Sequence, residues 1–375
     1  MSTDLFLSQS RAQAIAAVVE LPDWLIASVA RGTYYLVGPA LDSFEFFAES
    51  QFPHLREWIQ NLEGQRHPFA SKLPLLNFWY VIFSLLCYFG GILLLLLTAK
   101  IMGKRKYRFL VVLHNLFLFS LSLYMSFAIM VTARAADFSL WNNPAGTSNA
   151  DWRLAKLLWL FYISKIPEWM DTFVMCLKQN TRQITFLHLY HHSTIFFIWY
   201  VCCSMAPGGE AYWSAMVNSS VHVIMYGYYF LTAVFEEGKV RRFLNRFKFF
   251  ITKGQMLQFA INCVQSIYDL YIVPQESLNY DVRLLQLLFW YMISLLMLFG
   301  NFLLRAPRSN VGGRGNTVRY SESIKKTPHN SDVIRKSEVV KPAYEIKNSP
   351  RFDNRKRSKK KSHENSINGL TPLVC

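Results

Sequence analysis

The chain has 375 residues, of which 52% are hydrophobic and 16% are aromatic, a high share for a soluble protein. Its formal net charge of +16 is uneven, because residues 305–375 contain 17 Lys and Arg against 6 Asp and Glu. This composition excludes an ordinary soluble domain, and a basic tail after apolar segments favours anionic lipid over nucleic acid as a partner. Six cysteines stand mostly inside apolar runs without ligand spacing, which predicts buried side chains rather than a disulfide or metal framework.

Residues 1–74 combine short apolar stretches with prolines at positions 22, 39, 53, 68 and 74. Because proline disrupts helix interiors, we expect no long membrane helix in this part of the chain. The first residues lack a basic region ahead of an apolar core, so no cleavable signal peptide is predicted. We therefore predict that residues 1–74 form a luminal N-terminal segment that is partly interfacial or disordered.

Seven apolar runs follow, each close to the ~20 residues that a membrane helix needs. They cover residues 75–98, 109–132, 157–177, 184–205, 212–235, 254–273 and 284–304. Each run must be helical, because backbone groups that are unpaired within the helix find no water in lipid. The pattern predicts an all-α integral membrane protein with seven transmembrane helices over residues 75–305.

Lys and Arg in the short loops predict the orientation of these helices, since they concentrate on the cytosolic side. Basic residues collect in the loops after runs one, three and five: Lys100, Lys104, Arg105, Lys106 and Arg108; Lys178 and Arg182; Lys239, Arg241, Arg242, Arg246, Lys248 and Lys253. The N-terminus is therefore expected in the lumen and the C-terminus in the cytosol. Residues 306–375, rich in Ser, Asn, Lys and Arg, are predicted to be a basic disordered cytosolic tail.

The third run carries three ionisable residues, Lys165, Glu168 and Asp171, around a proline at position 167. Each costs roughly 2.5–3.5 kcal/mol at the centre of a membrane helix, so such residues are usually functional. An internal ion pair is the alternative, but a pair needs one acid and this helix has two. Pro167 is expected to kink the helix among these groups.

Two further runs place polar side chains on single helical faces. His188, His191 and His192 stand at i, i+3 and i+4 at the start of run four, and Asn218, His222, Tyr226 and Tyr229 share one face of run five. A third polar stripe lies on run six. Its side chains either line one wall of a hydrated cavity or form hydrogen bonds to neighbouring helices. It consists of Gln255, Gln258, Asn262, Gln265 and Asp269.

The depth of these groups follows from the helix rise of 1.5 Å per residue, counted from the charged loops. Most of them are expected in the cytosolic half of the bilayer. His222 is the exception, at about 21 Å from Glu236 along its helix, so that a kink or tilt must bring it level with the others. Polar groups from several helices are thus expected at one depth in the membrane. This arrangement predicts an active site, because polar groups with purely structural roles would be scattered over different depths.

Four motifs resemble the ELO family of very-long-chain fatty acid elongases. KIPEWMDT (165–172) is similar to KxxExxDT, QITFLHLYHH (183–192) to QxxFLHxYHH, NSSVHVIMYGYY (218–229) to NxxxHxxMYxYY, and TKGQMLQF (252–259) to TxxQMxQF. His114 is a fifth and weaker point of similarity to the family. The resemblance covers residues 75–305 and implies a fold in which six of the seven helices enclose an acyl tunnel open to the cytosol.

The resemblance also implies the chemistry. A long acyl-CoA condenses with malonyl-CoA to a 3-oxoacyl-CoA, CO2 and CoA, through an acyl-imidazole on His191. His188 and His192 are expected to orient or deprotonate His191 or to polarise the thioester. His222 and Asn218 would face the malonyl group, while Asp171 and Glu168 fix imidazole tautomers and Lys165 balances their charge. The substrate-binding candidates are Gln183, Tyr226, Tyr229, Gln255, Gln258, Lys178, Arg182, Arg242 and Lys253. The last four would bind the CoA phosphates, and the alternative is that they are the ordinary positive charge of cytosolic loops.

Further expectations follow from the same resemblance. No metal or other cofactor is implied, the location is the endoplasmic reticulum membrane, and the partners are membrane lipid and the two CoA thioesters. The ketoreductase, dehydratase and enoyl reductase of the elongation cycle are further expected partners, and a homo-oligomer is a possible state. The tyrosine at position 190 and GGEAYW (208–213) favour the branch that elongates polyunsaturated and very-long chains.

Two other classes of protein stay open at this point. A membrane di-iron desaturase or hydroxylase also uses HxxHH boxes, because imidazole binds iron, but this chain has no second box. Stoichiometric iron in the purified protein would favour that enzyme. A seven-helix receptor without enzymatic activity would leave the ionisable residues of run three unexplained.

Overall fold

The computed structural model describes residues 2–102, 107–277 and 279–305. The predicted disordered tail, residues 306–375, and the loop residues Lys104, Arg105 and Lys106 lie outside the described residues. The described residues form helices, turns and connecting segments, and none of the described residues lies in a strand.

Three helices precede the apolar runs: α1 (Ser2–Val18), α2 (Asp23–Gln51) and α3 (Pro53–Glu63). Pro22 precedes α2 and Pro53 opens α3, where its missing N–H leaves no hydrogen bond unmade. The expectation that the prolines break up long helices in this region is wrong at Pro39, which lies inside the 29-residue helix α2. Gly38 precedes it and has no Cβ to clash with the proline ring, which lowers the cost of continuing the helix.

Helices occupy all seven predicted positions. They are α4 (Phe78–Met102), α5 (Arg108–Ala135), the three pieces α6 (Asn149–Ile163), α7 (Lys165–Glu168) and α8 (Met170–Leu177), then α9 (Phe186–Met205), α10 (Ala211–Val234), α12 (Lys248–Tyr271) and α13 (Val282–Arg305), with the short α11 (Gly238–Leu244) between α10 and α12.

Four described segments are long and apolar enough to cross a membrane: Gln9–Gln51, Phe78–Ala99, Arg108–Ala135 and Val282–Arg305. Helices α9, α10 and α12 are of similar length, but each buries several polar side chains, which lowers its mean hydropathy. The structure is therefore that of an all-helical, multi-pass membrane protein.

The third apolar run is broken twice, at Ser164 and at Trp169. Pro167 has no N–H to donate to the carbonyl of Ile163, and its ring clashes with that carbonyl, so α6 ends at Ile163. The predicted kink at Pro167 is thus confirmed. As a result, Glu168 and Asp171 lie on separate helical pieces and have different neighbours.

Helix α9 lies inside the bundle, which places its histidines away from lipid. Phe161 of α6 packs edge-on against Trp199 with ring centroids 4.5 Å apart, and Tyr162 stacks on Phe196 at 4.8 Å. On the other side, the Tyr190 hydroxyl lies 2.8 Å from the Ser294 hydroxyl of α13. Twelve of the 20 residues of α9 are buried.

Candidate active site

The histidine box occupies the first two turns of α9. The Thr185 side chain caps this helix by accepting a hydrogen bond from the backbone N–H of His188 at 3.2 Å. His188, His191 and His192 are 0%, 3% and 1% exposed. The imidazole centroids of His188 and His192 are 4.3 Å apart, and those of His191 and His192 are 5.5 Å apart. The predicted cluster of three imidazoles is therefore buried inside the bundle.

A chain of hydroxyl groups holds His188. Its Nε2 lies 2.7 Å from the Thr172 hydroxyl, which lies 2.9 Å from the hydroxyl of Tyr88 on α4. The neighbouring Trp169 donates its indole N–H to the backbone carbonyl of His192 at 3.1 Å. These contacts link the third run to α9 and restrict rotation of the His188 ring.

A buried charged group lies on α7 beside the box. Lys165 Nζ donates to Glu168 Oε1 at 2.7 Å, and both side chains are almost completely buried. His222 Nδ1 of α10 lies 3.5 Å from the same carboxylate oxygen, close enough for electrostatic interaction. His222 is therefore level with Glu168 in the structure.

Asp171 lies at the centre of a second polar group. Its Oδ1 is 3.0 Å from His114 Nε2 on α5, and its Oδ2 accepts a hydrogen bond from the Tyr226 hydroxyl at 2.9 Å. The contact partner of Asp171 is thus His114 and not one of the box histidines. Among the described residues, Glu168 approaches His222 and Asp171 approaches His114, so the two carboxylates serve different imidazoles.

A narrow cavity of about 30 Å³ adjoins His191. It continues past Asn218 and Gln258 towards Asn262 and Ser266, between α9, α10, α12 and α13. Asn218 Nδ2 donates to Gln258 Oε1 at 3.4 Å. Within the described part of the chain, His191 Nδ1 and Asn218 Oδ1 have no hydrogen-bond partner. Buried polar atoms of this kind usually have a partner, so these two atoms are available to a bound substrate or water.

The remaining predicted binding residues lie farther from the box. Tyr229 packs against the Tyr226 ring at 6.2 Å, and Gln255 Nε2 lies 3.5 Å from Met225 Sδ. Gln183 accepts a hydrogen bond from the Asn180 side chain in the turn before α9. The structure therefore connects Tyr229 to the Asp171 group through Tyr226, and it pairs Gln183 with Asn180.

The predicted basic residues are found at the end of the bundle where α9 begins. Arg182, Arg242 and Lys253 are exposed, and Lys178 is partly buried. Burial lowers the pKa of Lys178 from its usual value, although the charge of Glu236 opposes that shift. The exposed guanidinium and ammonium groups are free to meet an anionic ligand from solution.

Sequence reasoning did not assign a site role to Tyr88, Trp169 or His114. Tyr88 is one of four hydroxyl-bearing residues in a run that otherwise looks like an ordinary membrane helix, and no spacing rule relates it to Thr172, 84 residues away. His114 was noticeable as an imidazole in an apolar run. Among the described residues, no group of three or more His, Cys, Asp and Glu side chains is arranged to hold a metal ion.

Comparison with known proteins identifies relatives of the whole bundle. A family model described as ELO, the GNS1/SUR4 family, matches residues 73–310. Fatty acid elongase 6 of Leishmania major is 54% identical over 300 residues, which cover 80% of this chain and 79% of that protein. Very long chain fatty acid elongase 5 of Tachysurus fulvidraco is 30% identical over 311 residues, 77% of this chain and 96% of that protein. The protein of the same name from Bos taurus is 33% identical over 262 residues, 69% and 83% of the two chains. The chain therefore belongs to the ELO (GNS1/SUR4) family.

Proposed function

We propose that this elongase condenses a long-chain acyl-CoA with malonyl-CoA, giving a 3-oxoacyl-CoA that is two carbons longer, CO2 and CoA. This is the first step of very-long-chain fatty acid elongation. The observation that carries the proposal is the position of His191, which is buried, lines a cavity between four helices and has a ring nitrogen without a partner among the described residues. A buried imidazole with a free nitrogen can act as a nucleophile towards a thioester.

In the first half-reaction, a ring nitrogen of His191 attacks the carbonyl carbon of the acyl-CoA thioester. The carbon–sulfur bond breaks, CoA leaves as a thiolate that takes the imidazole proton, and the acyl group stays on the ring. An acyl-imidazole hydrolyses readily, so the reaction needs a site that excludes water. The burial of His188, His191 and His192 supplies such a site.

In the second half-reaction, malonyl-CoA loses CO2 and its α-carbon becomes the nucleophile of an enolate. That carbon attacks the acyl carbonyl, the bond to His191 breaks, and the departing imidazolate takes up a proton from solvent, which is the one proton that the overall reaction consumes. Asn218 lines this space and His222 lies one turn farther along the same face of α10, where their N–H groups can stabilise the enolate oxygen. Glu168 Oε1 lies 3.5 Å from His222 Nδ1, and Lys165 Nζ pairs with the same carboxylate oxygen.

We further infer the arrangement in the membrane. The seven helical positions span the bilayer, and six of them enclose a tunnel that begins at the histidines. The cavity beside His191 is too small for an acyl chain, so side chains along α12 and α13 must move apart when the chain enters. CoA, a polyanion, binds from the cytosol, where Lys178, Arg182, Arg242 and Lys253 are placed to meet its phosphates.

A buried polar group closes the other end of this space. Gln265 Nε2 donates to Glu210 Oε2 at 2.7 Å, and Asn143 donates to the same carboxylate from its backbone N–H and its side chain. Burial raises the pKa of Glu210, although these hydrogen bonds oppose the shift. The polar closure is consistent with a tunnel that ends near the lumen and limits the length of the acyl chain.

The proposal includes the setting of the reaction. The protein resides in the endoplasmic reticulum membrane with its N-terminus in the lumen, needs no metal or other cofactor, and passes its product to a ketoreductase, a dehydratase and an enoyl reductase. Polyunsaturated chains are included among its substrates. A homo-oligomer is compatible with this arrangement.

The decisive experiment supplies purified protein in lipid with labelled malonyl-CoA and a panel of acyl-CoAs of different length and unsaturation. Mass spectrometry is expected to find 3-oxoacyl products two carbons longer than their primers, without added metal or redox cofactor. Absence of such products from every primer would contradict the proposal. Oxygen-dependent desaturation, with stoichiometric iron in the protein, would favour the di-iron enzyme instead.

Removal of residues 306–375 is expected to leave the rate of condensation within about twofold of the full chain, because the four motifs lie within residues 165–259 and the residues that line the cavity beside His191 lie within residues 191–295. The truncated protein is compared with the full chain for malonyl-CoA incorporation in membranes with matched protein levels. An inactive truncated protein that is still inserted would show that the tail forms part of the site.

A further inference from the structure

The segment before the family domain is anchored to the bundle at three places, of which the first is α5. Gln9 Nε2 donates to the carbonyl of Ala135, the last residue of α5, at 3.3 Å. Farther along α1, the carbonyl of Val19 accepts a hydrogen bond from the Tyr124 hydroxyl at 2.8 Å. Tyr124 lies 11 residues before Ala135, or about 16 Å along α5. Helix α1 therefore runs antiparallel to α5, from its end into the bundle.

The second anchor is an ion group at the turn between α1 and α2. Lys156 of α6 is 1% exposed, and its Nζ lies 2.6 Å from Glu20 Oε1 and 3.0 Å from Asp23 Oδ1. Lys156 is seven residues from the start of α6, or about 10 Å. A buried ammonium group requires such partners, because an unpaired charge in a medium of low polarity is very unfavourable.

The third anchor joins the far part of α2 to the first turn of α4. Asp42 accepts a hydrogen bond from the Tyr80 hydroxyl at 2.9 Å, and Glu45 accepts one from Asn77 Nδ2 at 2.9 Å. Asn77 immediately precedes α4. The ends of α4, α5 and α6 that carry these anchors all belong to the side of the bundle opposite to the start of α9, since alternate helices run in opposite directions.

These anchors exclude a transmembrane path for α2, even though Gln9–Gln51 is long and apolar enough to cross a bilayer. The ends of a spanning helix differ in depth by the ~30 Å of the hydrocarbon core. Here Asp23 and Asp42 both lie within about two turns, or about 10 Å, of the same boundary. Helix α2 must therefore cross the face of the bundle obliquely, within one leaflet.

The part of the chain before position 76 also holds one face of α6. Lys156, Trp159 and Tyr162 stand at i, i+3 and i+6, and all three bond to residues before position 76. Trp159 donates its indole N–H to the carbonyl of Pro74 at 2.8 Å, and the Tyr162 hydroxyl donates to the carbonyl of Leu75 at 3.1 Å. Helix α6 continues directly into α7, which carries Lys165 and Glu168.

We infer that Gln9–Gln51 forms a re-entrant helical hairpin with both ends on the luminal side, and that Lys156 pairs with its turn and so acts as a positioning residue for α7. The second part rests on the proposed function, because positioning matters only if Lys165 and Glu168 take part in the condensation. The first part is independent of any activity.

Topology is tested with single cysteines in a background from which the native cysteines have been removed. Arg11→Cys and Ser50→Cys are exposed positions at the two ends of the hairpin, and Val18→Cys, 85% exposed, lies near its turn. In sealed microsomes, a membrane-impermeant maleimide is expected to label neither end until the lumen is opened, and then both. Position 18 is expected to stay unlabelled because it faces lipid. Labelling of positions 11 and 50 from opposite sides would overturn the hairpin.

Positioning is tested by kinetics of Lys156 variants at equal protein levels in the membrane. Lys156→Met is expected to lower kcat at least about tenfold with little change in KM for malonyl-CoA, whereas Lys156→Arg keeps the charge and restores most of the rate. Lys72→Met is the matched control, because Lys72 is an exposed lysine that also lies near the Trp152 ring. A wild-type kcat for Lys156→Met, or equal losses in both Lys156 variants, would overturn the positioning role. A wild-type chain that forms no 3-oxoacyl product would instead contradict the proposed function, and the labelling result would stand.

Discussion

His191→Ala is expected to abolish condensation, with a loss of at least about a thousandfold in malonyl-CoA incorporation. The reason is that the variant has no atom to carry the acyl group between the two half-reactions. The space left by the ring lies next to the narrow cavity, and His188 and His192 remain buried beside it. The measurement is product formation by inserted protein at equal membrane levels.

His54→Ala is the matched control, because His54 is an exposed histidine on α3, remote from the box. It is expected to keep the wild-type rate. Intact-protein mass spectrometry of the wild type with acyl-CoA alone is expected to show an added acyl mass, which His191→Ala lacks. Normal product from His191→Ala, or an acyl mass that persists in it, would move the acyl carrier to another residue.

The local part of this site could be predicted from the sequence. Helical periodicity places His188, His191 and His192 on one face whatever the rest of the fold, and uninterrupted apolar length predicts the positions of the seven helices. The break at Pro167 follows from a missing backbone N–H. Each of these conclusions depends on residues fewer than about 25 positions apart, which is the range over which a helix relates one side chain to another.

The contacts between helices could not be predicted in the same way. Tyr88 reaches Thr172 across 84 positions, and His114 reaches Asp171 across 57. No pattern in a single sequence relates such pairs, because the packing of separate helices decides them. The same limit explains why the packing of α1 and α2 could not be predicted. Composition shows prolines and short apolar stretches in this region. It does not show that Glu20 and Asp23 pair with Lys156, more than 130 residues later.

These long-range contacts divide the site into two electrostatic units. Lys165, Glu168 and His222 form one unit beside the cavity, while His114, Asp171 and Tyr226 form another one helical piece farther along. Each unit brings a carboxylate next to an imidazole, and among the described residues only the first unit includes an ammonium group, that of Lys165. Glu168 and Asp171 lie on the separate helical pieces α7 and α8, and each contacts a different imidazole.

Asp171→Asn is expected to reduce kcat by about tenfold to a hundredfold, the range that corresponds to losing one hydrogen bond to a charged group, about 1.5–3 kcal/mol. An asparagine oxygen can still accept from His114, but its NH2 group cannot accept the hydrogen bond that Tyr226 now donates to Oδ2. The variant also loses the negative charge next to His114. The measurement is kcat and KM for both CoA thioesters.

Asp269→Asn supplies the matched comparison, because Asp269 is also a completely buried aspartate on a helix of the bundle. On α12, Asp269 lies one turn beyond Gln265, whose side chain bonds to Glu210. Asp269 is therefore at the end of the bundle opposite to the histidines. Most of the activity should therefore survive in Asp269→Asn, with any change confined to the length of acyl chain accepted. Equal losses of kcat in the two variants would mean that the charge of Asp171 acts through the stability of the bundle, as a buried aspartate does anywhere in it, and the assignment of the His114 unit to catalysis would fail.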